Sequence, residues 1–251
     1  MAQYSFGSGR LFAVPTIDAA GAAIITPTPV QFGTLQEVNI DYSADLKELY
    51  GENSFPVDVA RGKMKVSIKA KAAQIFGLLY ASCFWGKSVA TGQNKIITNV
   101  AATIASATYS PTLGGATFVA DLGVKNAQNL PLTRVLSAPA NANEYSVNTT
   151  TGAYTFHTSA NGLTLYVSYC VYEASNGKTI TIDNMPMGYV PEFSLYLDTS
   201  YKGKIQTLIF DRVVSSKLGM GTKLDDHVVP DFDMQAFAMP NGSVCRQSFS
   251  E

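Results

Sequence analysis

The sequence predicts a mainly β protein: an antiparallel β-sandwich or partial barrel with one flanking α-helix and a β-rich insertion. Two observations support this fold class. Several segments alternate apolar and polar residues with a period of two, which is typical of antiparallel sheets that bury one face. Another segment spaces its apolar residues three and four positions apart, which indicates a helix that packs one side against a sheet.

The alternation is clearest in Leu35–Tyr42 and Lys63–Ala70, which each have one apolar and one polar face. The polar face of the first carries acids and that of the second carries lysines, so we expect cross-strand ion pairs between them. The residues expected to pair are Glu37 and Asp41 with Lys63, Lys65 and Lys69. The other strands predicted for this core are Thr179–Asp183, Glu192–Asp198, Lys204–Val214, Asp231–Met239 and Ser243–Phe249.

A single apolar stripe predicts the helix, which we expect to run from Lys71 to Cys83. The stripe consists of Ala72, Ile75, Phe76, Leu79 and Cys83. A second, shorter helical turn is predicted over Asp45–Tyr50. Asp45 and Glu48 have the spacing of a capping box, and Gly51 suits a C-terminal stop.

The middle of the chain differs in composition and is predicted to be an insertion. Charged residues are sparse between residues 86 and 175, where alanine, threonine, asparagine and serine dominate. Short strands are predicted there at Glu144–Val147, Ala153–His157 and Leu163–Tyr172. We therefore divide the chain into a core, residues 1–85 and 176–251, and a β-rich insertion, residues 86–175. The insertion is either an outer module or an expansion of the core sheet.

The composition argues against nucleic-acid binding and favours contact with other subunits. The formal net charge is -1. The chain therefore lacks the overall positive charge that is typical of proteins that bind the phosphates of nucleic acids. Charged residues make up 15% of the chain, against roughly 25% in ordinary soluble domains. Together with a hydrophobic content of 46%, this low charge suggests that other subunits cover part of the surface.

We expect no catalytic, cofactor-binding or metal site, because no motif for one is recognisable. His157 stands alone in a threonine-rich strand, and His227 follows Asp225 and Asp226 in a turn-like stretch. The three cysteines are scattered and lack metal or redox spacing. The N-terminus has no signal-peptide pattern, and the most hydrophobic stretch, Ile75–Trp85, is shorter than the ~20 residues that cross a bilayer. We therefore expect a soluble protein with no membrane partner.

Two parts of the chain resemble the tail tube (major tail) proteins of tailed bacteriophages. The first part runs from Phe32 to Gly51 and continues through Phe55–Gly62 into the Lys63 strand. The second comprises Leu208–Val214 and Phe232–Phe237, which are similar to the closing strands of that family. The resemblance covers about the first 85 and the last 75 residues. Residues 86–175 match less well.

The resemblance implies a structural protein that forms stacked, usually hexameric rings around a channel and needs no cofactor. It also implies that a loop after the second strand, residues 43–62, reaches a neighbouring ring. Apolar residues in so long a loop favour contact with another subunit, and the alternative is a loop folded back on its own core. The residues assigned to this inter-ring loop are Ser43, Asp45, Leu49, Tyr50, Phe55, Pro56, Val57, Val59 and Arg61.

The same resemblance implies a lumen lined by polar and often acidic side chains, through which DNA passes without specific binding. The candidates for lumen-facing residues are Glu37, Asn39, Asp41, Glu192 and Asp198. The implied partners are other copies of the chain and the tape measure, tail-terminator and tail-tip proteins. The implied location is the virion tail, after synthesis in the bacterial host cytoplasm, and the chain length favours a long, non-contractile tail.

Three alternatives stay open at this point. A tail-tip or tail-terminator protein would share the fold but would cap the polymer. A carbohydrate-binding β-sandwich would use Trp85 and surface tyrosines as a sugar platform, and it would be a stable monomer. A hydrolase would use His227 with Asp225 or Asp226.

Overall fold

The computed structural model describes residues 4, 6–74, 76–184, 187–222 and 224–250. Strands hold 55% of the residues and helical turns 5%, which confirms the prediction of a mainly β protein with antiparallel sheets. The chain divides into two compact units. One comprises Met1–Val89 with Ile180–Glu251, and the other comprises Ala90–Thr179. The predicted insertion, residues 86–175, begins and ends a few residues earlier than the second unit.

The strands are, in chain order, β1 Arg10–Ile17, β2 Val30–Gln31, β3 Leu35–Tyr50, β4 Pro56–Ala72, β5 Ala90–Thr103, β6 Thr108–Tyr109, β7 Thr117–Lys125, β8 Thr133–Arg134, β9 Glu144–Val147, β10 Tyr154–Phe156, β11 Thr164–Thr179, β12 Glu192–Tyr201, β13 Lys204–Gly219, β14 Asp231–Ala236 and β15 Cys245–Phe249. The helical segments are α1 Gly77–Leu79, which continues as a π-helical turn over Tyr80–Trp85, and a 3-10 turn over Thr158–Ala160.

The first unit is built on one antiparallel sheet with the strand order β2-β1-β12-β13-β14-β4-β3, and β15 pairs with β13. Alternate residues of its strands point to opposite faces, so the apolar members of each strand meet on one side. Fully buried side chains of this core include Leu11, Phe32, Ile68, Phe193, Leu195, Phe210 and Phe232. The helical segment lies on the same face, where Leu79, Tyr80 and Cys83 belong to the core.

The second unit has its own core between a three-stranded sheet, β5-β11-β7, and a four-stranded sheet, β6-β10-β9-β8. The pairs are antiparallel except for β8 with β9. Aromatic rings dominate this core, and Tyr154 contacts the rings of Phe118, Tyr145 and Phe156. Ring contacts of this kind add to the free energy gained by burying the aromatic area.

The predicted helix over Lys71–Cys83 was wrong in its bounds. β4 continues to Ala72, because Lys71 and Ala72 still pair with β3 across the sheet. The helical part is limited to residues 77–85. The apolar spacing that suggested one long helix arises from a strand end followed by a short turn. Ile75, which belonged to the predicted stripe, lies outside the described residues.

Two further local predictions were wrong. Asp45–Tyr50 forms no helical turn but continues strand β3, because its backbone pairs with β4 from Arg61 to Pro56. The strand predicted over Thr179–Asp183 does not form, since β11 ends at Thr179 and no strand follows before Glu192 among the described residues. Six strands had not been predicted: the longer strands Arg10–Ile17, Ala90–Thr103 and Thr117–Lys125, and the two-residue strands Val30–Gln31, Thr108–Tyr109 and Thr133–Arg134.

Candidate interaction surface

The segment predicted to be an inter-ring loop is an extended β-hairpin, which we call the arm (Ser43–Lys65). Its two strands pair from Ser43 with Lys65 to Tyr50 with Pro56, and residues 51–55 form the turn. The neighbouring strand β14 accompanies β4 only as far as Val66, which pairs with Ala236. Beyond that point each strand of the arm has only the other strand of the arm as its partner among the described residues.

A β-bulge lies near the base of the arm. Ala44 pairs with Met64 but Leu46 pairs with Arg61, so Gly62 and Lys63 together face Asp45. A Cβ atom at Gly62 would lie 3.2 Å from the carbonyl oxygen of Asp45, so a small residue suits this position. A bulge bends its strand and increases the local twist. It therefore sets the direction in which the outer part of the arm leaves the sheet.

The arm exposes more apolar side chains than is usual for a hairpin that is surrounded by water. Phe55 is 83% exposed and Val57 is 73% exposed at the turn. Other exposed apolar residues of the arm are Leu46, Leu49, Tyr50, Val59 and Met64. The strand register distributes these side chains over both faces of the hairpin, with Leu46 and Val59 on one face and Leu49 on the other. Exposed apolar side chains in this number favour a contact with another molecule.

All nine residues assigned to the inter-ring loop lie in the arm. Eight of them are exposed and Pro56 is half-buried. The polar groups of the outer arm are mainly acidic, because Glu48, Glu52 and Asp58 occur between residues 48 and 58 without a lysine or arginine. The hydroxyl of Tyr50 donates a hydrogen bond to the Glu48 carboxylate, which raises the pKa of Tyr50.

The five lumen-facing candidates share the polar face of the same sheet. On β3, Glu37, Asn39 and Asp41 alternate with the partly buried Val38 and Ile40. On β12, Glu192 and Asp198 have the same orientation, because the residues alternating with this set are the buried Phe193, Leu195 and Leu197. The two strands lie on either side of β13, β14 and β4 in the sheet order.

Of the four acids among these candidates, Glu37, Glu192 and Asp198 each form an ion pair. The Glu37 carboxylate lies 2.6 Å from the Nζ atom of Lys71. Glu192 accepts two hydrogen bonds from the guanidinium of Arg212, at 2.6 and 2.5 Å. Asp198 pairs with Arg10. These contacts raise the pKa values of Lys71 and Arg212 and make the face charge-balanced rather than acidic.

The predicted ion pairs between β3 and β4 involve partly different residues. Glu37 pairs with Lys71, whereas Lys69 lies opposite Asn39 and Lys65 lies opposite Ser43. Asp41 lies opposite Ser67. Further pairs continue across the sheet, with Lys217 at 2.9 Å from Asp231 and Arg246 beside Asp211. Bonding to Lys217 lowers the pKa of Asp231.

The histidines lie in local turns. The Nδ1 atom of His157 accepts a hydrogen bond from the backbone N–H of Ser159 and so caps a 3-10 turn. The backbone N–H of His227 donates to the carboxylate of its neighbour Asp226 at 2.8 Å. Within the described part of the chain, no group of three or more His, Cys, Asp or Glu residues could hold a metal ion. Burial raises the pKa of the Cys83 thiol to about 12, which keeps this thiol unreactive.

Trp85 belongs to the helical segment, where its ring packs edge-on against Phe84 with centroids 4.8 Å apart. A shallow pocket of about 250 Å³ lies beside it, lined by residues that include Phe84, Ile182, Tyr189 and Pro191. Five of the seven tyrosines of this unit are exposed, and of these Tyr189 borders the pocket. No helix in the described ranges is both long and apolar enough to cross a membrane.

The chain matches no protein-family model and no curated protein sequence.

Proposed function

We propose that this protein is a structural subunit that assembles with copies of itself into a tube, as the tail tube proteins of bacteriophages do. The observation that carries the proposal is the arm. It is a two-stranded ribbon with exposed apolar side chains on an otherwise packed unit. A two-stranded ribbon is only marginally stable by itself in water, so a partner that covers the arm would also hold its conformation.

The available area is adequate for a specific contact. Leu46, Leu49, Tyr50, Phe55, Val57 and Val59 are each at least half exposed. At roughly 100 Å² for each side chain they offer about 600 Å², close to the ~800 Å² that each partner buries in a standard interface. The arm therefore has the size of an assembly element rather than of an incidental surface feature.

The edges of the sheet support assembly into rings. The outer edge of β3 has no strand partner among the described residues. At the opposite edge, β2 pairs with Phe12 and Ala13 of β1, and the β1–β2 connection pairs with Ile17 through Ala23. Unpaired edges of this kind readily accept a strand from another chain. Pairing of the β3 edge with the opposite edge of the sheet in the next copy, at β2 and the exposed part of β1, would join the sheets into a closed barrel. We expect a ring of six copies on the basis of the family resemblance.

The charge-balanced polar face suits the wall of a channel for DNA. Paired carboxylates and cations present little net field to phosphates, so DNA would neither be held nor strongly repelled. The residues of this face would include Glu37, Asn39, Asp41, Glu192 and Asp198. In this proposal the protein is not an enzyme and has no cofactor. Its further partners are the tape measure, tail-terminator and tail-tip proteins of a virion with a long, non-contractile tail.

Electron microscopy of the purified protein tests the proposal, with sedimentation over a range of protein concentrations. We expect rings that stack into tubes. A monodisperse monomer at high concentration would contradict the proposal, and retention of that monomer on glycans would favour a carbohydrate-binding module instead. Rings that never stack would favour a tail-terminator or tail-tip protein.

An arm variant makes the same test more specific. We expect Phe55→Asp combined with Val57→Asp to abolish stacking, because each charge would have to be buried in the interface. The melting temperature of the unassembled protein should not change, since both side chains are exposed in the single chain. The matched control is Leu136→Asp, at a fully exposed leucine of the unit Ala90–Thr179. Tubes that persist in the arm variant would remove the arm from the proposal.

A further inference from the structure

The strand register separates two ends of the sheet in the first unit. At the arm end lie the last pair of the arm, Tyr50 with Pro56, and the β12–β13 turn, where Tyr201 pairs with Lys204. At the other end, which we call the helix end, Leu35 pairs with Ala72, just before the helical segment. The C-terminal end of β1 points away from the arm turn. Pro15 lies in the same row of the sheet as Val66 at the base of the arm, because the pairing continues from Pro15 through Phe193, Val213 and Ala236 to Val66.

A largely apolar groove opens at the end of β1, between the β1–β2 connection and the helical segment. Its volume is about 450 Å³, and its lining includes Pro15, Ala19, Ala20, Ile24, Leu78 and Ser82. The charged side chains of Asp18 and Lys87 also line it, although most of the lining surface is apolar. Ile25, next to the groove in sequence, is 94% exposed and adds to the apolar surface at this end.

Local hydrogen bonds hold the wall of the groove in shape. The Asp18 carboxylate accepts hydrogen bonds from the backbone N–H groups of Ala20, at 2.8 Å, and Ala22, at 2.9 Å. The N–H of Ala19 donates to the carbonyl oxygen of Gly86 at 3.2 Å, which ties the connection to the end of the helical segment. The groove is therefore present in the single chain and does not need a partner to form.

We propose that this groove receives the arm turn of a second copy, with Phe55 and Val57 inserted between the β1–β2 connection and the helical segment. The inference rests on the proposed function and adds the acceptor surface to it. The arm turn projects beyond the arm base along β3 and β4, whereas the groove lies beside the end of β1 in the row of the arm base, so the two surfaces are separate and each copy can use both at once. Such a heterologous contact can repeat from copy to copy, and it builds an open polymer where its rotation does not close a ring.

The dimensions and the chemistry of the two surfaces agree. An aromatic residue such as Phe55 buries about 150–250 Å² when it is enclosed. A groove of about 450 Å³ lies within the usual size range of sites that enclose an apolar group. Burial of Phe55 and Val57 against Ala20, Ile24 and Leu78 joins two exposed apolar surfaces, which supplies the driving force for association.

Cysteine cross-linking between two different variants tests the inference. Cys170→Ser and Cys245→Ser give a background in which Cys83, 1% exposed, is inaccessible. On this background, Phe55→Cys protein is mixed with Ala20→Cys protein, assembled and oxidised. We expect a disulfide-linked dimer of one variant with the other. The control replaces Ala20→Cys with Ala238→Cys, an exposed alanine that follows β14 and does not line the groove, and should give no such dimer.

The outcomes separate this inference from the proposed function. Tubes whose Phe55→Cys subunits fail to link to Ala20→Cys subunits would overturn the groove assignment and leave the tube proposal standing. A background protein that forms no polymer would overturn both.

Filling the groove gives a second, independent measurement. Ala20→Trp should raise the protein concentration needed for tube formation by about tenfold or more, a change that corresponds to about 1.4 kcal/mol per contact. The melting temperature of the unassembled protein should stay the same, because Ala20 is exposed. Ala238→Trp is the matched control and should assemble normally. Equal assembly of the two tryptophan variants would contradict the inference.

Discussion

The side chain of Asp121 is the most buried member of any ion pair described in this protein, at 3% exposure. Its carboxylate accepts hydrogen bonds from the hydroxyls of Tyr145, at 2.7 Å, and Tyr154, at 3.1 Å. It also accepts from the backbone N–H of Gly123 at 3.0 Å, and Arg134 lies 3.8 Å away. Burial and this carboxylate raise the pKa values of both tyrosines, so their hydroxyls stay protonated as donors. A buried charge is tolerated here because several donors satisfy it.

The replacement Asp121→Asn tests this role. The side-chain amide of the asparagine would direct N–H donors towards the tyrosine hydroxyls and the Gly123 N–H, which are themselves donors. The remaining hydrogen bonds would no longer be made to a charged acceptor. We expect the free energy of unfolding of the unit Ala90–Thr179 to fall by about 2 kcal/mol. Hydrogen exchange of this unit in increasing urea measures the change. Asp225→Asn, at an exposed bend, is the control and should have no effect. Unchanged exchange in the Asp121 variant would contradict the role.

At the scale of elements, the helical segment depends on the residue that ends it. Gly86 has a φ of +59°, in the left-handed region that favours glycine. A Cβ atom there would lie 2.5 Å from the backbone nitrogen of Ala19 and 2.7 Å from Pro191. The turn thus requires both the backbone conformation and the absence of a side chain. The same close approach lets Gly86 accept the hydrogen bond that anchors the groove wall.

A pair of glycine substitutions separates these two requirements. Gly114 also has a φ of +59°, but a Cβ atom there would meet nothing within 4 Å. We expect Gly114→Ala to cost only the backbone strain of about 1 kcal/mol. Gly86→Ala should cost clearly more, because Ala19 and Pro191 would have to move. Thermal unfolding of the two variants measures the difference. Equal destabilisation would show that the contact with Ala19 is easily relieved.

At the scale of the whole molecule, the unit Ala90–Thr179 has its own core and its two chain ends lie side by side. Ala90 and Thr179 are directly paired at the end of the β5–β11 ladder. Paired residues in an antiparallel ladder have Cα atoms about 5 Å apart. The arm, the groove and the polar face all belong to the other unit. Assembly as proposed therefore does not require residues 90–179.

Deletion of residues 90–179 tests this independence. A linker of about four glycine and serine residues is enough to join Val89 to Ile180, since the ends that it replaces are adjacent. We expect the shortened chain to fold and to form tubes, which sedimentation and electron microscopy would detect. A chain that folds but no longer assembles would show that the unit Ala90–Thr179 takes part in the subunit contacts.

The alternation of residue types determined the mainly β class and the orientation of side chains within most strands. Glu37, Asn39, Asp41, Glu192 and Asp198 could be assigned to polar strand faces because burial with a period of two is a local property. The apolar residues of the arm were also recognisable, since their composition alone makes a solvated loop improbable. Each of these conclusions needs only neighbouring residues.

Only the tertiary structure decided which residues meet. Strand register depends on pairing between distant segments, and one bulge changes every partner beyond it. For this reason Glu37 pairs with Lys71 instead of Lys69, and residues 43–62 form a hairpin where a loop and a helical turn had been predicted. The groove combines the β1–β2 connection with the helical segment, which are distant in sequence. The residue pattern within the β1–β2 connection or within the helical segment does not indicate that the two are in contact, so the sequence alone could not have predicted the groove.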